Sequence, residues 1–284
     1  MSAPAMAIVI AAYNADETLG AQLDALAVQQ SDTRIEIVVV DNGSTDDTAA
    51  VIETAARRDA RVRRVAATDG RGAGYARNVG VAETTAPWIA FCDADDVVGV
   101  DWVDAIVGAL ATHPFVTGPL DTSALNEGWL AGSRGTAISS GQPMFEGVFP
   151  IASSCNLAIH RELFDAHGGF DESFRIGQDT ELSLRLWCAG VALHFAPAAT
   201  VHYRYRATMR GVFGQARAFG RAQAAIEQRM RELQVDATPP RRTLRRLAWL
   251  IRSLPRIVDR AARARWLYVC GTLLGRAEAR VRSN

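Results

Sequence analysis

The chain of 284 residues contains no lysine; all 31 of its basic side chains are arginine. That absence rules out a P-loop, whose lysine must reach the phosphates of a bound nucleotide. Cysteine is scarce. Cys92, Cys155, Cys188 and Cys270 form no CxxC pair and no zinc spacing, so they read as reduced thiols of a cytosolic protein. No run of eighteen apolar residues occurs, so no membrane-spanning helix is expected. The first residues lack the basic and apolar stretches of a secretory signal. No internal repeat is found. What is present is a packed globular composition, 49% hydrophobic and 22% charged.

The net charge of zero hides a split. Residues 1–203 hold 12 arginines and 26 acids, a balance of −14, and residues 204–284 hold 19 arginines and 5 acids, a balance of +14. Two regions with different partners are implied. The acidic part suits a metal site, and the basic tail suits phosphate on lipid headgroups or another polyanion.

Apolar runs at Met6 to Ala12 and Ile35 to Val40 fit strands buried on both faces of a parallel sheet. Val62 to Ala66 and Trp88 to Cys92 predict two more. Between them Asp16 to Gln29, Asp46 to Arg58, Gly74 to Ala82 and, afterwards, Asp101 to Leu110 predict helices, the second capped by Ser44 or Thr45. This alternation argues for a right-handed, doubly wound α/β sheet. Residues 118–150 show no period and read as a long loop of the kind that covers active sites. Cys155 to Ile159 predicts a strand, Arg161 to Ala166 a short helix, and Asp179 to Ala189 a helix closed by Gly190. Leu193 to Ala196 and Thr200 to Tyr203 predict short strands. From Thr208 onward the chain reads as helix, broken at Pro239-Pro240 and at Pro255.

Three acidic motifs carry chemistry. Asp41 ends a buried strand, where α/β folds bind ligands, and its carboxylate suits a ribose or a base N–H; Asp41-Asn42-Gly43 reads equally as a turn. Asp93-Ala94-Asp95-Asp96 sets three acids after another strand. They repel one another unless a cation joins them, and oxygen donors suit Mg²⁺ or Mn²⁺; the rival reading is a solvated acidic turn. Asp179 opens a helix, either as a charge favouring the helix dipole or as a general base. Gly70-Arg71-Gly72-Ala73-Gly74 imitates a dinucleotide loop, but Tyr75 stands where the third glycine of that loop belongs, so a Rossmann dehydrogenase is not expected.

Together these segments resemble family 2 glycosyltransferases of the GT-A fold, from about residue 6 to about residue 205. The resemblance rests on Ile8 to Asn14, Val39 to Asp46, Gly72 to Gly80, Phe91 to Asp96, Gly168 to Glu172 and Gln178 to Leu182 with Arg185, in matching order. It implies an inverting, metal-dependent transfer from a nucleotide-diphosphate sugar to an acceptor hydroxyl. The UDP-sugar is the expected donor, with dTDP- or GDP-sugars as alternatives. The acceptor would be a glycan, a lipid-linked saccharide or a natural product. It further implies a mixed doubly wound GT-A sheet over residues 1–205, with a nucleotide part at 1–117 and an acceptor part at 118–205, and a basic helical extension over 206–284.

By the same resemblance Asp179 is the catalytic base. Ala12, Tyr13, Asn14, Asp41, Gly72, Arg77, Asn78, Asp93 and Ala94 bind the nucleotide sugar. Asp95, Asp93 and His202 hold Mn²⁺ or Mg²⁺, although a lone strand histidine reads as readily as structural. Asn156, Gln178 and Arg185 face the acceptor. Where the family usually has Glu-Asp, this chain has Gln178-Asp179, which removes one acidic neighbour that would raise the pKa of Asp179. In the tail, residues 241–275 read as a basic amphipathic segment for an anionic membrane surface, and 208–238 as a helical bundle against the catalytic domain or the second subunit of a homodimer. Nucleic acid is not an expected partner. The expected location is cytoplasmic, peripheral at the inner face of the cell membrane. Two rivals are weighed. A sugar nucleotidyltransferase would carry a basic glycine-rich loop near the first strand, but residues 11–20 hold no arginine or lysine. A non-catalytic nucleotide-sugar or glycan-binding protein of the same fold would have less reason to keep Asp41, Asp93, Asp95 and Asp179.

Overall fold

The computed structural model describes residues 3–133, 141–236, 241–254 and 257–282. They fall into two compact units. One holds residues 1–121, 138–143 and 150–203; the other holds 122–137, 144–149 and 204–284.

The first unit is built on a seven-stranded sheet. In chain order its parallel half comprises β1 (Met6–Ala12), α1 (Leu19–Ala27), β2 (Ile35–Asp41), α2 (Thr48–Arg58), β3 (Val62–Ala66), α3 (Ala73–Ala82) and β4 (Trp88–Asp93). There follow β5 (Val97–Val98), α4 (Trp102–Leu110), β6 (Phe115–Thr117) and β7 (Leu120–Asp121). After the α5 turn (Gly128–Ala131) and the short strands β8 (Met144–Phe145) and β9 (Phe149–Pro150) come β10 (Leu157–His160), α6 (Arg161–Ala166), α7 (Gln178–Cys188), β11 (His194–Phe195) and β12 (Val201–His202). The sheet order is β11-β6-β10-β4-β1-β2-β3, with β10 antiparallel to β4 and β6. The mixed, doubly wound α/β sheet is therefore the one expected.

Residues Met6 to Ile10 of β1 and Ile37 to Val40 of β2 are fully buried. Apolar cover on both faces explains their unbroken hydrophobic runs, each such side chain contributing about 1.5–3 kcal/mol. One face packs on α1, α2 and α4 through Leu19, Leu26, Ile52 and Trp102, and the other on α3, α6 and α7 through Ala76, Phe164 and Leu182.

Several local expectations are corrected. The segment 118–150 is not a bare loop: β7, α5, β8 and β9 lie in it, and residues 134–140 fall outside the described residues. Ser44 and Thr45 do not cap α2. The N-cap position is Asp47, with no side-chain cap bond; the Asp46 carboxylate accepts from the Thr48 N–H at 3.1 Å, and Ser44 and Thr45 bond to Asn14. The strand expected from Cys155 starts at Leu157, after a 3₁₀ turn over Ser154–Asn156. Gly190 closes α7 as expected, in a left-handed conformation with φ 79°.

The second unit contains α8 (Met209–Glu232), α9 (Arg241–Ser253) and α10 (Arg260–Arg282). The breaks expected at Pro239-Pro240 and Pro255 lie outside the described residues. Helices α8 and α10 approach closely because Gly220, Gly271 and Gly275 face the partner backbone. A methyl group at Gly275 would strike the Arg217 carbonyl, and one at Gly220 the Thr272 carbonyl. Arg276, buried between them, pairs with Glu227 and at 3.4 Å with Glu146.

Candidate active site

Strand order creates the site. From β1 the chain winds outward through β2 and β3, then returns to the other side of β1 at β4. This reversal is the switch point at which open α/β sheets bind ligands, beyond the carboxyl ends of their strands. Register puts Asp41 opposite Ala12 on one side of β1 and Asp93 opposite Ala11 on the other. The two acids therefore flank one strand end.

A cleft of about 390 Å³ opens there, lined by Ala11, Ala12, Tyr13, Asn42, Arg71, Gly72, Ala73, Ala76 and Arg175. Tyr13 is exposed at its rim. Gly72, with φ 115°, makes the bend that leads into α3, a conformation open to glycine alone. Asn42 shapes this wall. Its amide donates to the Ala67 and Gly70 carbonyls at 2.6 and 2.9 Å, and its oxygen accepts from the Gly72 N–H at 2.9 Å. Sequence reading passed over Asn42 as a turn residue. The signal was available, since the loop Gly70 to Gly72 needs an anchor at a neighbouring strand end. Arg71 and Arg175 were missed because each stands in a segment without period.

Asp41 is buried. Burial pushes its carboxyl pKa up, but bonds from the Ser44 N–H (2.9 Å) and hydroxyl and from Arg64 (2.7 Å) more than offset this, holding it below the usual carboxylate range. Asn14, in a left-handed conformation with φ 48°, bonds to Ser44 and Thr45 and so ties the loop after β1 to the loop after β2.

Asp93 accepts from Arg77 at 2.5 Å. Arg77 is itself buried; its Nε and Nη1 have no hydrogen-bond partner among the described residues, and its guanidinium lies 5.7 Å from the Phe170 ring. The ligand atoms of Asp93, Asp96 and Cys155 lie within 4.8 Å of one another. The Cys155 thiol is raised well above its ordinary pKa by burial, and further by Asp96, Asp93 and Asp179, and sulfur is a soft donor. It suits a hard cation poorly. The donors left are carboxylate oxygens, which fit Mg²⁺ or Mn²⁺. Asp95 is half-buried in the turn with Ala94, between Asp93 and Asp96.

Asp179 joins this group from the other half of the sheet. It opens α7 after the left-handed Gly177, and accepts from the Ser154 N–H at 2.9 Å and the Thr180 N–H at 2.7 Å. Ser154 adjoins Cys155, so the Asp179 carboxylate and the acids after β4 meet around one thiol. Gln178 begins the same helix, buried, with no partner for its side-chain oxygen among the described residues. His202 pairs with Val97 in β5, two residues past Asp95, and its Nδ1 lies 2.7 Å from Asp121. Its Nε2 makes no hydrogen bond among the described residues.

Three expected site residues bond extensively within the fold. Asn156 is fully buried; it accepts from the Trp102 indole at 2.9 Å and donates to the Pro119 and Ala199 carbonyls, so it has no face left for an acceptor. Arg185 grips Glu181 in a bidentate pair and donates to the His167 and Gly169 carbonyls. Asn78 pins the backbone of Phe170 from both sides and lines a separate hollow with Arg161 and Gly169.

Comparison with known proteins agrees with this layout. The family described as Glycosyl transferase family 2 matches residues 7–168, and Glycosyl transferase family group 2 matches residues 88–274. The chain is 30% identical over 219 residues to the succinoglycan biosynthesis protein ExoO of Rhizobium meliloti, covering 72% of this chain and 61% of that protein. It is 25% identical over 258 residues to the pre-mycofactocin glycosyltransferase of Mycobacterium tuberculosis, covering 87% of this chain and 52% of that protein. It thus spans roughly half to two thirds of the length of these curated relatives. Among solved structures, the mannosyltransferase PcManGT from Pyrobaculum calidifontis, in complex with GDP-Man and Mn²⁺, superposes with a TM-score of 0.60 at 19% identity, covering 100% of this chain and 76% of that one. TarS of S. aureus in complex with UDP superposes with a TM-score of 0.56 at 14% identity, covering 98% and 91%. The fold is GT-A, and the chain belongs to glycosyl transferase family 2.

Proposed function

We propose that this chain is a metal-dependent, inverting glycosyltransferase that moves a sugar from a nucleoside-diphosphate donor to an acceptor hydroxyl. One observation carries the reading: Asp41 and Asp93 flank the end of β1, and Asp179 reaches from α7 to the Cys155 thiol that Asp93 and Asp96 also face. The nucleotide lies in the cleft beside Tyr13 and Gly72, with Asp41 on the base and Arg71 and Arg175 supplying positive charge toward the diphosphate. Asp95 and Asp93, with His202 as a third ligand, are the residues that would hold Mn²⁺ or Mg²⁺. When bound, the cation supplies Lewis-acid stabilisation to the departing diphosphate. Asp179 removes the proton from the acceptor oxygen, which bonds to the anomeric carbon as the bond to the diphosphate oxygen breaks. A single displacement inverts that carbon.

The catalytic region is residues 1–205 and the basic helical region 206–284. A UDP-sugar is the first donor to test, and the GDP-Man and UDP complexes of the structural neighbours make GDP-sugars the second. The acceptor class is a glycan, a lipid-linked saccharide or a natural product. All four cysteines are free thiols, which supports a cytoplasmic location.

The decisive variant is Asp179→Asn. Its transfer rate should drop by about 10²–10⁴-fold, as for loss of a general base, while nucleoside diphosphate plus Mn²⁺ still raises its melting temperature as in the wild type. Near-wild-type transfer by this variant overturns the assignment. Failure of the wild type to turn over any donor with Mn²⁺ favours the non-catalytic binder.

A further inference from the structure

Helix α9 carries its apolar stripe on the outside. At 100° per residue, Leu244, Leu247 and Ile251 fall within an arc of about 60°, and Leu254 follows directly after the helix. An amphipathic helix of a globular protein buries such a stripe. Here Leu244 is 66% exposed, Ile251 70% and, just beyond the helix, Val258 83%. The opposite side is the one that packs. Ser253 is buried there; the Leu250 carbonyl accepts from the Trp266 indole at 3.1 Å, Arg265 lies 5.4 Å from the Trp249 ring, and Arg246 pairs with Glu146 at 3.1 Å. The stripe is therefore not a core face left uncovered by a small shift of the helix, because the helix is already held by its other side.

Charge tells what covers the stripe. Residues 241–275 hold nine arginines and one acid. Arg245 and Arg252 stand exposed along one flank of the stripe, and Arg260, Arg263 and Arg265 are exposed after it. An apolar protein partner would need a matching acidic rim. An anionic bilayer offers both components at once, acyl chains beneath a layer of negative headgroups. Among the described residues no helix is long and apolar enough to cross a membrane, and a stripe of this width suits a helix lying in the headgroup plane.

We propose that α9 docks the protein on an anionic membrane surface, with Leu244, Leu247, Ile251, Leu254 and Val258 among the upper acyl chains and Arg245 and Arg252 on lipid phosphates. The inference does not depend on the catalytic reading.

The test uses the full chain and vesicle flotation. Wild type should float with vesicles containing one third phosphatidylglycerol in phosphatidylcholine, and at least tenfold less with pure phosphatidylcholine. The triple variant Leu244→Ser, Leu247→Ser, Ile251→Ser should lose at least tenfold of its binding to anionic vesicles. All three side chains are exposed, so its melting temperature should match the wild type and serve as the control for folding. Arg245→Gln with Arg252→Gln should weaken anionic binding and flatten its salt dependence. Equal flotation of the triple variant and the wild type overturns the proposal, as does a wild type that stays at the bottom with anionic vesicles. A solution dimer that the triple variant splits would instead assign the stripe to a second copy of this chain, and overturns it as well.

Discussion

The sheet-bearing unit and the C-terminal helices treat apolar residues in opposite ways. From Met6 to Ile10 every side chain of β1 is at 0% exposure, whereas α9 presents Leu244 and Ile251 outward. Their charges are opposed too, −14 over residues 1–203 and +14 over 204–284. In the first unit, acids gather at the carboxyl ends of β2 and β4, with Asp41 paired to Arg64 and Asp93 to Arg77. In the second, arginines are either locked in pairs, as Arg276 is with Glu227, or left on the surface. One unit carries a cleft beside acids at strand ends, and the other presents an apolar and basic surface.

The largest expected effect on stability is at Asn156, in the sheet unit. Asn156→Ala leaves the Trp102 indole and the Ala199 carbonyl buried without partners, each such group costing about 1–3 kcal/mol, while the Pro119 carbonyl keeps its bond from the Val201 N–H. A total loss of about 3 kcal/mol is expected by urea unfolding. Amide exchange should accelerate in β4, β6 and β10. A loss under about 0.5 kcal/mol would mean that Asn156 is not the structural pin described here, and would reopen its assignment to the acceptor.

A smaller effect is expected from Gly275→Ala in the helical unit. The new methyl meets the Arg217 carbonyl, so α8 and α10 must part, at a cost of about 2 kcal/mol by comparison with overpacked cores. Exchange should rise in α8 and α10, and donor affinity of the sheet unit should stay at the wild-type value. Changed donor affinity would break the comparison, because the helical unit would then be shaping the nucleotide cleft.

How much of this was legible in the sequence depends on what fixed each feature. The parallel strands were legible to within a residue, since burial on both faces leaves an unbroken apolar run. The acids at strand ends were legible for the same reason: once β1, β2 and β4 are found, Asp41 and Asp93 fall at their carboxyl ends. The two-residue strands β5 and β7 were not, because pairing with β12 through Val201 and His202 is a tertiary fact with no local pattern. The bonds that Asn78, Asn156 and Arg185 make within the fold were not legible for a related reason. A polar residue in a motif looks the same whether it contacts a ligand or satisfies buried backbone, and only the partner atoms separate the two. The apolar stripe of α9 was legible as a pattern, and the packing of its opposite side on Trp266 and Glu146 was not.

The smallest effect concerns Asp41 and sharpens the electrostatic side of the contrast. Its folded-state pKa is depressed, so it contributes stability above its unfolded value of about 3.9, and that contribution is lost as pH falls through the folded value. Arg64 is one of the groups responsible, and it also lies 3.7 Å from Glu53. Arg64→Met removes its share while leaving the Ser44 bonds in place. At pH 7 the variant should be less stable by about 1 kcal/mol or less, since Arg64 is partly exposed and solvent screens the pair. As pH falls through the folded-state value, Asp41 takes up its proton in both proteins and the difference should close. Urea midpoints at pH 7, 4 and 2.5 measure this directly. A difference that stays constant across that range would mean that Arg64 acts through packing on β3 alone and that the Ser44 bonds hold the carboxylate by themselves.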